Sequence, residues 1–161
     1  MARYLICCVV SLLLLEGSKA DERPTSVPEG ARWLRVDRVT DGDTIVLMDS
    51  TRVRLHGIDT PERDQPYGSE ATAALESMVE TSVYIVEVDT DRYGRTVGRL
   101  YHSTEGYDIN ASMVCAGHAW WYERYAPDSE LLEGCQKEAQ SAPKGLWSSD
   151  NPMPPWEWRR K

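Results

Sequence analysis

Val53-Arg54-Leu55-His56-Gly57-Ile58-Asp59-Thr60-Pro61-Glu62 is the stretch from which the rest of the chain can be read. It starts as a strand, with Val53, Leu55 and Gly57 on one face and Arg54, His56 and Ile58 on the other. Gly57 permits a bend, and Pro61 drives Thr60 out of the helical region. A barrel-type strand therefore ends in a rigid turn that carries two carboxylates, Asp59 and Glu62, with the Arg54 guanidinium five residues before Asp59. An acid–base pair beside a cation suits an anionic substrate or a metal. The plainer reading is a strand with an exposed arginine, closed by an ordinary Asp-Thr-Pro-Glu turn. Arg54 and Asp59 have opposite strand parity, so a shared site requires a bend or bulge at Gly57-Ile58.

Working outward, residues 33–39 alternate as a half-exposed strand, Asp41-Gly42 is a hairpin signal, and residues 44–48 return. Ser50-Thr51 leads into a third strand over 52–58, which completes an antiparallel meander. Ala71, Ala74, Leu75, Met78 and Val79 then form one apolar helical stripe, with Ser69 as the candidate N-cap. Strands follow at 83–88 and 96–101, joined by the polar turn from Asp89 to Gly94. Asp108 can cap a short helix, 120–125 is aromatic and extended, and a last helix capped by Asp128 carries Leu131, Leu132, Cys135 and Ala139 on one face. Five short strands with a helix between the third and fourth predict an α+β fold, a five-stranded OB-fold barrel with three helices.

The ends and the composition narrow the class. Residues 5–15 are apolar except for Ser11, follow Arg3, and precede Ser18-Lys19-Ala20. This predicts a signal peptide over 1–20 and a secreted protein, extracellular or periplasmic; the apolar run is too short for a membrane anchor, so no membrane is expected for the mature form. Cleavage would remove two of the 18 basic and one of the 26 acidic residues and take the net charge from −8 to −9. Such a field does not steer a polyanion, which must be caught by a local basic site or a bound cation. Cys7 and Cys8 leave with the signal, so Cys115 and Cys135 are expected to pair. His56, His102 and His118 are scattered and no Cys-x-x-Cys occurs, so zinc is not expected. With no Phe, the six Trp and eight Tyr are expected to fill much of the core. Residues 21–30 read as a flexible leader. The Pro-, Trp- and Arg-rich tail, 148–161, reads as packing back through Trp156 and Trp158, the alternative being a grip on substrate.

Three clusters fall at strand ends of one meander: Asp41-Gly42-Asp43-Thr44, the opening stretch, and Asp91-Arg92-Tyr93-Gly94-Arg95. Together they hold what phosphodiester hydrolysis needs. Asp43 and Asp59 can bind a hard cation through oxygen. Arg54 and Arg95 can clamp phosphate oxygens. Glu62 can take a proton from water, and Tyr93 offers a ring to a nucleotide.

On those three motifs, D-G-D-T, V-R-L-H-G-I-D-T-P-E and D-R-Y-G-R, the chain resembles the staphylococcal nuclease (thermonuclease) family over residues 31–147, with weaker agreement at 110–117 and Gly145-Leu146-Trp147. The resemblance implies a calcium-dependent, sugar-nonspecific nuclease that cuts DNA and RNA to 3′-phosphate ends; a monomer is expected. It implies Asp43, Asp59 and the Thr60 carbonyl as Ca2+ ligands, Arg54 and Arg95 on the scissile phosphate, and Glu62 as general base. Tyr93 would lie against the nucleotide, with Arg92, Tyr122 and Tyr125 also assigned to substrate. Two departures stand out: the lysine-rich loop after the Glu is reduced to Arg63-Asp64-Gln65-Pro66, and Glu123, between Tyr122 and Tyr125, takes the place of a stacking tyrosine. The competing readings are a non-catalytic barrel that binds nucleic acid or a protein partner, and an extracellular calcium-binding module. The second gives no role to Arg54 and Arg95.

Overall fold

The computed structural model describes residues 23–161; the signal segment expected over 1–20 lies outside the described residues. Seven strands run in chain order as β1 (Arg32–Asp41), β2 (Thr44–Leu47), β3 (Arg52–Leu55), β4 (Ile58–Asp59), β5 (Ser82–Thr90), β6 (Thr96–His102) and β7 (Trp120–Trp121). Five of them close a barrel in the order β1-β2-β3-β6-β5, and β4 pairs with β7 in a separate two-stranded sheet. The β1–β2–β3 meander is antiparallel, while β3 runs parallel to β6. The helices are α1 (Gly68–Val79), α2 (Ile109–Cys115), α3 (Glu130–Ser141) and the short α4 (Pro155–Trp158), one more than expected.

The expected single strand over 52–58 is broken into β3 and β4. Gly57 takes a left-handed φ of 76°, and a Cβ there would lie 2.9 Å from Ala126 and from Leu132. The bend turns the chain off the barrel edge and onto β7, with Ile58 paired to Trp121 and Asp59 to Trp120. Residues Glu123–Tyr125 form a 3₁₀ turn, which corrects the extended reading beyond Trp121.

Two helix starts also differ. Tyr67, in the left-handed region, precedes α1 with no side-chain cap, and Ser69 lies inside the helix, where its hydroxyl donates to Glu70. The α3 cap is Ser129 rather than Asp128, because its hydroxyl is the group that accepts from Leu132 N–H. Asp108 caps α2 as expected, accepting from Ala111 N–H. Leu132, Cys135 and Ala139 are buried on α3, while Leu131 faces solvent.

The core is aliphatic rather than aromatic: Ile45, Leu55, Ile58, Leu75, Ile85, Leu100, Ile109 and Met113 are its largest fully buried side chains. Tyr84 and Tyr101 belong to a second, smaller cluster closed by Val27. Residues 23–30 therefore do not behave as a free leader; Val27 is buried and Ser26 donates to the Gly106 carbonyl. Cys115 and Cys135 are joined in a disulfide, with Cα atoms 4.2 Å apart, that ties α2 to α3. Closing a 20-residue separation stabilises by about 3 kcal/mol in the chain-entropy account. No helix among the described residues is long and apolar enough to cross a membrane.

Candidate active site

The bend at Gly57 carries Asp59 back toward Arg54. Thr44 sits opposite Arg54 in the β2–β3 ladder, so the arginine lies beside the Asp43 hairpin. Its guanidinium bridges two carboxylates, pairing through Nη1 with Asp43 and donating from Nη2 to Asp59 Oδ1 at 2.8 Å and to the Ile58 carbonyl at 3.2 Å. Asp43 Oδ2 also accepts from the Thr60 N–H and hydroxyl, both at 3.0 Å, and its Oδ1 accepts from Thr44 at 3.2 Å. Asp59 is 1% exposed. A buried carboxylate persists as an ion only when charges and donors replace its water, and this pair has both. Burial pulls the Arg54 pKa below its ordinary value, with the nearby Asp59 charge opposing that pull.

Glu62 stands on a different footing. Its side chain is 38% exposed, and its place is set through the backbone of its turn. Glu62 N–H donates to Gln65 Oε1 at 3.1 Å, and Gln65 N–H donates to the Glu62 carbonyl at 2.9 Å. Gly68, the first residue of α1, packs so closely on that carbonyl that a Cβ would come within 2.0 Å of it. No larger residue fits there without moving the turn.

The third contributor comes from the tail. Arg159, just after α4, donates from Nη2 to Asp59 Oδ2 at 2.7 Å, and from Nη1 to Glu62 Oε1 at 2.6 Å and Asp59 Oδ1 at 3.3 Å. Burial works against its charge, yet the hydrogen bonds and charges of Asp59 and Glu62 more than offset this and raise its pKa. The tail is held independently of this contact: Trp156 stacks on Tyr122 at 5.0 Å and meets Trp120 edge-on at 5.7 Å. Gln65 Nε2 donates to the Met153 carbonyl at 2.6 Å, and Trp158 Nε1 to Asp64 at 3.3 Å. Trp156 and Trp158 thus pack the tail back as expected. Arg159 and Gln65 were not singled out from the sequence; the Arg159-Arg160-Lys161 run after a Trp-rich segment is the only signal there, and a lone Gln in a turn carries none.

The β5–β6 hairpin brings the other arginine. Asp91 accepts from the Arg95 N–H and Nε and from the Tyr93 N–H, which shapes the turn and aims the Arg95 side chain. Thr96, the next residue, pairs with Val53, so Arg95 lies one strand over from Arg54, close enough for its charge to depress the Arg54 pKa further. Tyr93 is 62% exposed, with the Arg92 guanidinium 4.8 Å from its ring. The aromatic residues assigned to substrate divide: Tyr125 is exposed, whereas Tyr122 has one face covered by Trp156.

Asp43, Arg54, Asp59, Thr60, Glu62 and Arg159 therefore form one contiguous polar site at the edge of the barrel, with Arg95 one strand over from Arg54. Its anionic ligands are all oxygen, which fits a hard divalent cation. Among the described residues no three acidic, histidine or cysteine side chains are gathered as a ready-made metal cage. Two carboxylates with a backbone carbonyl and water would make the coordination, and one of the two guanidiniums on Asp59 would have to give way.

An OB-type barrel with carboxylates and arginines gathered at its edge has the groups that suit a phosphodiester. The staphylococcal nuclease homologue family model matches residues 52–149. A protein of Escherichia coli O157:H7 named as an uncharacterized endonuclease is 45% identical over 131 residues, 79% of this chain and 84% of that one. A micrococcal nuclease of Shigella flexneri is 40% identical over 149 residues, 84% and 85% of the two chains. A probable staphylococcal-like nuclease of Oryza sativa subsp. japonica is 46% identical over 116 residues, 71% of this chain but 34% of its own. The chain belongs to the staphylococcal nuclease family, and the enzyme it forms is a hydrolase of the nuclease class.

Proposed function

We propose that the chain is an exported, calcium-dependent, sugar-nonspecific nuclease that acts as a monomer and hydrolyses DNA and RNA to 3′-phosphate ends. The observation that carries this reading is the Asp43–Arg54–Asp59 bridge, with Glu62 three residues beyond Asp59 and linked to it through Arg159. Asp43 and Asp59, with the Thr60 carbonyl, would hold the cation. When bound, calcium would supply Lewis-acid polarisation and neutralise phosphate charge.

The remaining chemistry falls to the chain's own side chains. Glu62, the most exposed of the three carboxylates, accepts the proton of the attacking water. The O–P bond forms as the bond to the 5′-oxygen breaks, and charge gathers on the equatorial phosphate oxygens. Arg54 and Arg95 receive that charge through planar two-point donors, which an ammonium cannot reproduce. Tyr93, with Arg92 against its ring, offers an exposed face to a base or sugar, and Tyr125 offers another. The short Arg63-to-Pro66 turn takes away a basic loop, so affinity rests on the arginines and the cation.

The test is digestion of plain DNA and RNA with calcium and then with excess chelator. Calcium-dependent cleavage of both is the expected result. Full turnover in chelator would remove the metal assignment, and binding of oligonucleotide without cleavage would leave a nucleic-acid-binding module in place of the enzyme.

A further inference from the structure

We infer that Arg159 is a built-in competitor for the cation, a tail-borne guanidinium that holds Asp59 and Glu62 in the metal-free protein and must withdraw before a divalent cation can bind. The inference rests on the calcium reading of the preceding section and adds to it a residue that sets metal affinity.

Three observations carry it. The first is electrostatic. Asp59 is 1% exposed and accepts from two guanidiniums, Arg54 on Oδ1 and Arg159 on both oxygens. A divalent cation at the same carboxylate would face both positive groups at contact distance, in a site where little water screens them. One of the two must leave. The second is which one can. The Arg54 side chain is 16% exposed, emerges from the middle of β3 and is fixed by Asp43 and the Ile58 carbonyl as well. The Arg159 side chain is 42% exposed, and among the described residues it pairs with the two carboxylates alone. Arg159 is the group that yields.

The third observation is the anchorage of the tail. Trp156 on Tyr122 and Trp120, Gln65 on Met153, and Trp158 on Asp64 place the end of α4 beside the site whether or not Arg159 is engaged. A tethered competitor acts at high effective concentration and returns as soon as the cation leaves. Gln65 holds the Glu62 N–H with one side-chain atom and the tail carbonyl with the other, so the Glu62 turn and the tail are anchored to each other. While Arg159 is engaged, its guanidinium occupies one oxygen of Glu62 as well as Asp59; withdrawal frees both carboxylates.

The experiment is a calcium titration of the substrate-free protein by calorimetry, for wild type, Arg159→Ala and Trp156→Ala, with melting curves in calcium and in chelator. Arg159→Ala should bind calcium about tenfold tighter, the factor expected of a competitor engaged about nine-tenths of the time. Calcium should raise its melting temperature more than that of wild type. Trp156→Ala keeps the arginine but frees the tail, and should tighten binding in the same direction by a smaller factor; it also serves if Arg159→Ala folds poorly. Equal or weaker calcium binding in both variants, with binding intact in wild type, overturns the competitor and leaves the calcium reading standing. No calcium binding in any of the three overturns both.

Discussion

Asp59 and Glu62 lie three residues apart on one turn and occupy opposite physical regimes. Asp59 is sealed, 1% exposed, and held by Arg54 on the preceding strand of the chain. The Glu62 side chain is 38% exposed, and its ion-pair partner is an arginine 97 residues further along the chain. The difference separates a scaffold half of the site from a working half. Asp43, Arg54, Asp59 and Thr60 are locked into one another by side-chain hydrogen bonds and ion pairs, which suits groups that hold position. Glu62 is fixed through its backbone while its carboxylate stays accessible, which suits a group that must gain and lose a proton.

The largest effect expected from breaking this division is in the scaffold. Arg54→Ala leaves Asp43 and Asp59 buried beside each other without the cation between them. Removing one partner of a buried pair typically destabilises by about 3–5 kcal/mol. Arg159 still compensates part of the Asp59 charge, so the lower end is expected. Urea denaturation should show the midpoint falling with an unchanged slope, together with loss of cleavage. A stability change within about 0.5 kcal/mol of wild type, the range of an ordinary surface substitution, would mean that the bridge is not what holds the two carboxylates in place.

A smaller effect is expected at the hairpin that aims Arg95. Burial disfavours the charge on Asp91, but the N–H groups of Arg95 and Tyr93 and the Arg95 guanidinium outweigh it, so its pKa lies below 3.8. A lowered pKa stabilises the fold above the unfolded-state value, and that contribution is lost as pH falls through the folded value. Asp91→Asn should therefore be less stable than wild type at pH 7 by about 1 kcal/mol or less. The gap should close as pH drops below 3.8. A gap that persists unchanged into acid would assign the effect to turn geometry rather than to the charge.

The parts of this site that the sequence makes legible are those written in local chemistry. The parity conflict between Arg54 and Asp59 requires a bend, and Gly57 with φ 76° supplies it. The Asp41-Gly42 hairpin, the Asp108 cap and the strand-end placement of all three motifs follow from turn and cap preferences that act over a few residues. What remained hidden is tertiary. The contact of Arg159 with Asp59 spans 100 positions, and no periodicity or spacing encodes it. Gln65 acts through both ends of one amide, and a polar residue in a turn looks the same whether it is solvated or bridging. The aromatic residues misled for a related reason: Trp120, Tyr122 and Trp156 sit on the seam where the tail docks, while aliphatic side chains fill the barrel. Composition counts aromatic residues but does not say which surface they cover.

The central claim is that Glu62 supplies the base while the buried carboxylates Asp43 and Asp59 hold position. Glu62→Gln keeps size and hydrogen bonding but removes the proton acceptor. The measurement is single-turnover cleavage of DNA by this variant at saturating calcium, with calcium and oligonucleotide affinities determined alongside. The account predicts a rate lowered by about 10²–10⁴, the usual contribution of a positioned general base, with both affinities within several-fold of wild type and an unchanged melting temperature. A Glu62→Gln enzyme that cleaves as fast as wild type would contradict it and place the proton acceptor elsewhere.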